Sequence, residues 1–306
     1  MTIWEGKISV ILSAFLFCAR NVQRVDGWGW HQLGVGGNTD ILDLHMHNAS
    51  HGWAVGSYDM LLQTSNGGST WVFGKSGLGT TSGGIGIIIY DWYGVSYENE
   101  THGWVVGSNA QVLFSTDGGF QYNLQVNLVP SDVVLRDVEA VGNGAAYACG
   151  DRGFVIHTAD YGVTWVTMDT SVASGRTLQA LSCPAAEYCW VVGDMSSSIL
   201  HTSDTGSTWV LQTATDLDWQ ISYGVFFVHY LGFPPTLPGV FLGVVVGESG
   251  GIVLTSSSGA SYRRTASCSD HTLRDVTFDI YSEQGFAVGD RGTICWSQDR
   301  GVLWNE

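Results

Sequence analysis

Apolar positions along this chain come in short runs, not in the longer 3.6-residue pattern of amphipathic helices, which points to strands joined by tight turns. The runs fall into a repeating order. A first apolar strand is expected at 41–44, 92–95, 135–138, 178–181, 222–225 and 273–276. A second, ending in Val-Gly or a close variant, follows at 52–56, 103–107, 146–150, 189–193, 243–247 and 285–289. A third leads into a polar turn, as at 154–158, and a fourth begins at an aromatic residue, as at 165–168.

The polar turn carries the strongest signal. Its pattern, Ser/Thr-x-Asp-x-Gly-x-Thr-Trp, occurs six times with variation, and its third position is Asn66, Asp117, Asp160, Asp204, Ser257 and Asp299. This is the Asp box of bacterial-neuraminidase repeats. Intervals of 42 to 53 residues suit one four-stranded propeller blade per copy. A turn aspartate can accept amide N–H groups of its own loop, the glycine two residues later tolerates left-handed backbone, and the aromatic packs between sheets. These aspartates therefore read as structural, not catalytic.

The expectation is an all-β chain: a single β-propeller of six four-stranded blades, with seven as the alternative, spanning 28–306. The last repeat stops at Glu306 without a full fourth strand, and 29–35 resembles one, so an N-terminal strand is expected to close the ring and remove an open edge. Insertions near 74–89 and 230–239 lengthen two segments, neither enough for another blade.

Composition agrees with this reading. The 41 Gly, 13 Trp and 5 Pro fit short strands and tight turns, and 44% hydrophobic residues are ample for a core. The net charge of −16, with no basic stripe, opposes nucleic acid as a partner.

Residues 1–19, with Lys7 ahead of an apolar run from Ile8 to Ala19, read as a signal peptide or N-terminal anchor. Export follows, to a secreted or organelle-lumen destination. Cys18 lies in that leader; of the other five cysteines, Cys183 and Cys189 flank a short turn and could bridge neighbouring strands, which fits an oxidising compartment. Asn48-Ala-Ser50 and Asn99-Glu-Thr101 match the glycosylation pattern at the same point of successive repeats.

With those residues in view, the chain resembles the photosystem II stability and assembly factor family of Asp-box propellers. Leu135-Arg136-Asp137-Val138 with Gly150-Asp151-Arg152-Gly153, and Leu273-Arg274-Asp275-Val276 with Gly289-Asp290-Arg291-Gly292, carry the resemblance, together with His51–Gly56 and His102–Gly107. It implies a luminal, non-enzymatic scaffold without cofactors that binds a partner polypeptide, such as an assembly intermediate of a membrane complex, through an arginine-rich patch. Arg136 and Arg274 are the candidate contacts, supported by Arg152 and Arg291. The other four repeats carry Leu42, Tyr93, Gln179 and Tyr223 at the first-strand arginine position. The alternative is that the arginines pair with Asp151 and Asp290 to stiffen turns. The protein is expected to be a monomer, with a glycan as a second kind of partner.

The rival class is a sialidase-like glycoside hydrolase, which shares Asp boxes and six blades. Such an enzyme needs three arginines on a carboxylate, a tyrosine nucleophile and an acid, and the Phe/Tyr-Arg-Ile-Pro signature is absent. No catalytic set and no metal site is expected: His45 and His47 alternate on one strand without a third ligand nearby.

Overall fold

The structure is a computed structural model that describes residues 40–78, 90–217, 219–229, 241–278 and 284–306. It is an all-β, six-bladed propeller. Blade 1 contains β1 (Ile41–Met46), β2 (Gly52–Gly56), β3 (Met60–Thr64) and β4 (Val72–Phe73). Blade 2 contains β5 (Trp92–Tyr97), β6 (Gly103–Gly107), β7 (Val112–Ser115) and β8 (Asn123–Gln125). Blade 3 contains β9 (Leu135–Gly142), β10 (Ala145–Gly150), β11 (Val155–Thr158) and β12 (Val166–Thr167). Blade 4 contains β13 (Leu178–Ala185), β14 (Tyr188–Gly193), β15 (Ser198–Thr202) and β16 (Val210–Thr213). Blade 5 contains β17 (Ser222–His229), β18 (Phe241–Gly247), β19 (Ile252–Thr255) and β20 (Arg263–Arg264). Blade 6 contains β21 (Leu273–Phe278), β22 (Gly285–Gly289) and β23 (Ile294–Ser297).

Every blade is an antiparallel meander in chain order. In blade 6 the described sheet has three strands, and Asn305 forms an isolated antiparallel bridge with Trp296. The proposed closing strand at 29–35, the leader at 1–19, and most of the insertions at 74–89 and 230–239 lie outside the described residues. All six inner strands run on past the apolar positions that announced them, and polar residues along four of them bond across to the next blade.

An inner strand leaves one edge unpaired toward the channel, and a buried N–H without a partner is costly. Side chains of the preceding blade meet that demand. Asp43 Oδ2 accepts Val95 N at 2.7 Å, Ser96 Oγ accepts Ala140 N at 3.0 Å, and Asp137 Oδ2 accepts Leu181 N at 2.8 Å. Glu139 Oε2 accepts Cys183 N at 2.7 Å, and Ser182 Oγ accepts Phe227 N at 3.0 Å. Burial raises the pKa of these acids: Asp43 to about 6, Asp275 and Glu139 to about 7. Asp137 is also pushed up, by burial and then by the charge of Asp43. Asp43 raises Asp275 as well, so the inner strands of blades 1, 3 and 6 share one electrostatic neighbourhood around the channel.

Between blades the core is aromatic and β-branched. Trp190 of blade 4 stacks on Phe227 of blade 5 with ring centroids 3.9 Å apart, and Trp53 of blade 1 stacks on Tyr97 of blade 2 at 3.5 Å. The box aromatics Tyr122, Trp165, Trp209, Tyr262 and Trp304 are all buried; Trp71 is half-buried.

All six boxes fold alike. In blade 4, Thr202 Oγ1 donates to Asp204 at 2.8 Å and accepts Gly206 N at 3.0 Å, while Asp204 accepts Thr208 N at 2.8 Å. The same bonds recur around Asn66, Asp117, Asp160 and Asp299, and Ser257 substitutes with its hydroxyl. The box glycine has positive φ, +76° at Gly206, where a side chain would be strained.

Candidate functional site

The two faces of the ring are built from different turns. Asp boxes sit on one face, against the hairpins between first and second strands. The other face carries the starts of the inner strands and the turns between second and third strands.

That second face has a regular irregularity. In every blade the pairing of first and second strands slips by one residue at the second inner-strand position. The bulged residues are Leu42, Tyr93, Arg136, Gln179, Tyr223 and Arg274. A bulge leaves its residue out of the ladder and re-aims its side chain. Behind each bulge the turn between second and third strands docks onto the chain before the inner strand, as where Asp151 N donates to Val134 O at 3.0 Å and Asp290 N to Thr272 O at 2.8 Å.

Arg136 and Arg274 are therefore held at bulges, each beside the acid of its own turn. Arg136 Nε donates to Asp151 at 2.8 Å. Arg274 grips Asp290 with Nε at 2.9 Å and Nη2 at 3.0 Å, which raises its pKa further. The pairing with Asp151 and Asp290 is thus present, yet it does not exhaust the arginines. A guanidinium has five N–H donors: Arg136 gives one to Asp151, and Arg274 gives two to Asp290 and also hydrogen-bonds the Tyr223 side chain, so each keeps N–H groups beyond these contacts. Each arginine also lies over a tyrosine at the preceding blade's bulge, Arg136 at 5.9 Å from the Tyr93 ring centre and Arg274 at 4.3 Å from that of Tyr223. Burial raises the Tyr93 pKa, and the charge of Asp91 adds to the shift.

The supporting arginines differ. Arg152 and Arg291 both occupy left-handed turn positions, φ 60° and 59°, in Asp-Arg-Gly triplets. Arg152 is held by both oxygens of Asp132, whose pKa falls as a result. Arg291 Nη1 instead contacts His271 Nε2 at 3.4 Å.

Sequence reasoning missed Arg176, which lies 4.0 Å from Asp194 just ahead of the blade 4 inner strand and beside Arg152, where Gly175 N donates to Arg152 O. It also passed over Tyr93 and Tyr223 as mere departures from arginine. Their recurrence at one position of blades 2 and 5 was the available signal. Of the nine basic residues described, Arg136, Arg152, Arg176, Arg274 and Arg291 lie on this one face of an acidic chain.

The remaining expected positions lie elsewhere. Cys183 and Cys189 form a disulfide across the β13–β14 hairpin, with Cα atoms 4.1 Å apart. A second, unforeseen disulfide joins Cys268 to Cys295, tying the entry of blade 6 to β23. Asn48 and Asn99 cap hairpin turns of the Asp-box face: Asn48 Oδ1 accepts Ser50 N and His51 N at 2.8 Å, and Asn99 Oδ1 accepts Thr101 N at 2.9 Å. His45 is half-buried, with its pKa lowered to about 4 by burial and then by the charge of His47, while His47 lies just past the end of β1 and is exposed. Among the described residues, no three of His, Cys, Asp and Glu gather as a metal site would require.

Fold and face together define a six-bladed Asp-box propeller with a bulge-borne basic surface. Comparison with known proteins gives this class its family. The family model described as photosynthesis system II assembly factor YCF48 matches residues 88–263, more than half of the chain, and the chain belongs to that family. It is 25% identical over 185 residues to the photosystem II stability/assembly factor HCF136, chloroplastic, of Arabidopsis thaliana, covering 56% of this chain and 44% of that protein. It is 26% identical over 147 residues to the photosystem II assembly lipoprotein Ycf48 of a Synechococcus strain, covering 47% and 41%. The chain thus spans under half the length of these curated relatives. A solved structure described as YCF48 bound to D1 peptide superposes with a TM-score of 0.69 at 20% identity, covering 93% of this chain and 86% of that one. At that identity the likeness speaks for the fold.

Proposed function

We propose that this chain is a non-enzymatic scaffold that captures an acidic segment of a partner polypeptide on its bulge face, in the assembly of a photosystem II-like membrane complex. The observation that carries this reading is the pair of bulge arginines, each oriented by its own aspartate while further donors stay free. Fixing a guanidinium from behind reduces the entropy lost when its outward N–H groups take a carboxylate. Family membership supports it, since the named relatives are assembly factors, and the YCF48 in the solved complex holds a D1 peptide.

Against a glycosidase, Arg136 and Arg274 sit three blades apart, each facing its own blade's acid, rather than converging. Asp43 and Asp137 spend their oxygens on backbone amides instead of flanking a substrate. The reading includes a leader over 1–19, a propeller over 28–306, and an oxidising, exported compartment such as a thylakoid lumen or the cell exterior, which two disulfides favour. It also includes a monomer in solution.

The test is affinity capture with mass spectrometry from the native cell, comparing the wild type with Arg136→Ala combined with Arg274→Ala. The expected outcome is a discrete membrane-complex intermediate on the wild type only, with both proteins melting alike. Unchanged capture by the double variant rejects the site. Recovery of extracellular glycoconjugates alone transfers the face to glycan binding.

A further inference from the structure

The ring repeats with a longer period than one blade. Around the bulge face the order is Leu42, Tyr93, Arg136, then Gln179, Tyr223, Arg274. The next positions read Asp43, Gly94, Asp137, then Ala180, Gly224, Asp275. Blades 2 and 5 share Tyr-Gly-Val; blades 3 and 6 share Leu-Arg-Asp-Val and Gly-Asp-Arg-Gly. The contacts repeat as faithfully as the letters. A Cβ on Gly94 would meet Asp137 Cα at 2.8 Å, and one on Gly224 would meet Asp275 Cα at 2.8 Å. These glycines let inner strands 2 and 3, and 5 and 6, approach closely enough to set tyrosine against arginine. Each arginine Nε then meets its turn aspartate, at 2.8 and 2.9 Å. Blades 1 and 4 supply neither tyrosine nor arginine at the bulge.

In a six-bladed ring, three blades make half a turn. The bulge face therefore carries two equivalent Tyr-Arg-Asp cradles on opposite sides of the channel: Tyr93, Arg136 and Asp151, and Tyr223, Arg274 and Asp290. We propose that the chain binds two carboxylate-bearing peptide segments at once, one in each cradle. This rests on the reading above that the bulge face captures an acidic segment, and adds that it does so twice. In each cradle the aspartate orients the guanidinium, the free donors take the peptide carboxylate, and the tyrosine ring backs both.

The cradles are equivalent in plan and unequal in charge. In blade 3, Arg152 is neutralised by Asp132. In blade 6 the matching acid, Asp270, is 95% exposed and lies 3.8 Å from His271, and Arg291 has that histidine rather than a carboxylate as its neighbour. The blade 6 cradle thus keeps a second guanidinium for ligand and is the tighter of the two.

Isothermal titration and native mass spectrometry with a synthetic D1 peptide as probe test this directly. The wild type is expected to load two peptides with unequal affinities. Arg136→Gln keeps the tighter site and loads one. Arg274→Gln with Arg291→Gln also loads one, at the weaker site, and all three substitutions together weaken residual binding by about ten-fold or more at both sites. Thermal melts matching the wild type show that each variant is folded. One peptide per wild-type chain, abolished by either variant, means one composite site and overturns the proposal. One peptide sensitive to a single variant overturns it equally. If the wild type takes no peptide at all, the reading of the face as a peptide site falls, and the two-site proposal falls with it.

Discussion

The Asp-box face and the bulge face are made from the same six repeats, yet they treat repetition in opposite ways. On the box face, six copies of one turn make the same hydrogen bonds, and even Ser257 reproduces the bond that aspartate makes elsewhere. On the bulge face, six geometrically equivalent positions hold four residue types, and only two hold arginine. A side chain that the backbone needs is present in every blade. The side chains that the proposed ligand would need are present in two blades alone. The bulge is the common structural device, and what it displays is free to differ.

If this contrast holds, damage to the box face costs stability, and damage to the bulge face costs binding. The largest stability effect is expected for Thr202→Val. Thr202 is 1% exposed and its hydroxyl accepts the buried N–H of Gly206, so valine leaves that donor unsatisfied, at a cost of about 2 kcal/mol. Chemical denaturation with an unchanged m-value measures it; a loss too small to resolve would mean that the box is decorative.

Next come the acids between the two faces. Asp275 has its pKa raised from 3.8 to about 7 by burial, with the charge of Asp43 adding to the shift. The folded state therefore holds a proton that the unfolded state releases earlier. Its stabilising contribution is complete below about pH 4 and drains away as pH rises toward 7. Asp275→Asn keeps an oxygen for Val276 N and removes the titration. It should raise the melting temperature at pH 8 by about 2–4 °C while changing little at pH 4. A melting curve of equal pH dependence in both proteins would contradict the assignment.

Smallest in stability is Arg274→Gln, whose pair with Asp290 is nearly half exposed and is worth about 0.5 kcal/mol. A loss matching that of Thr202→Val would make Arg274 a structural residue and dissolve the contrast between the faces.

How much of this was legible in the sequence follows the same division. The boxes recur with their glycine and aromatic, so blade number, strand order and the structural role of Asp117 or Asp160 could be read directly. The four arginines were found because Leu-Arg-Asp-Val and Gly-Asp-Arg-Gly occur twice. The bulge was hidden, because it is a property of register between two strands and no residue type marks it. Without it, Tyr93 and Tyr223 looked like missing arginines instead of their ring partners. Arg176 was missed because it stands outside the repeat pattern and meets Arg152 only in three dimensions. The channel acids were visible as letters, but their bonds to the next blade's amides depend on how closely inner strands pack. The Cys268–Cys295 pair joins residues on either side of two intervening strands, a distance that spacing alone does not reveal.

The most direct test of the central claim, that the bulge face is the binding face, is amide hydrogen exchange with and without saturating synthetic D1 peptide. Slower exchange is predicted at 135–136, 151–153, 273–274 and 290–292, with the Asp-box turns at 158–165 and 202–209 unchanged. Protection confined to the box turns, with the arginine-bearing segments unaffected, would contradict it.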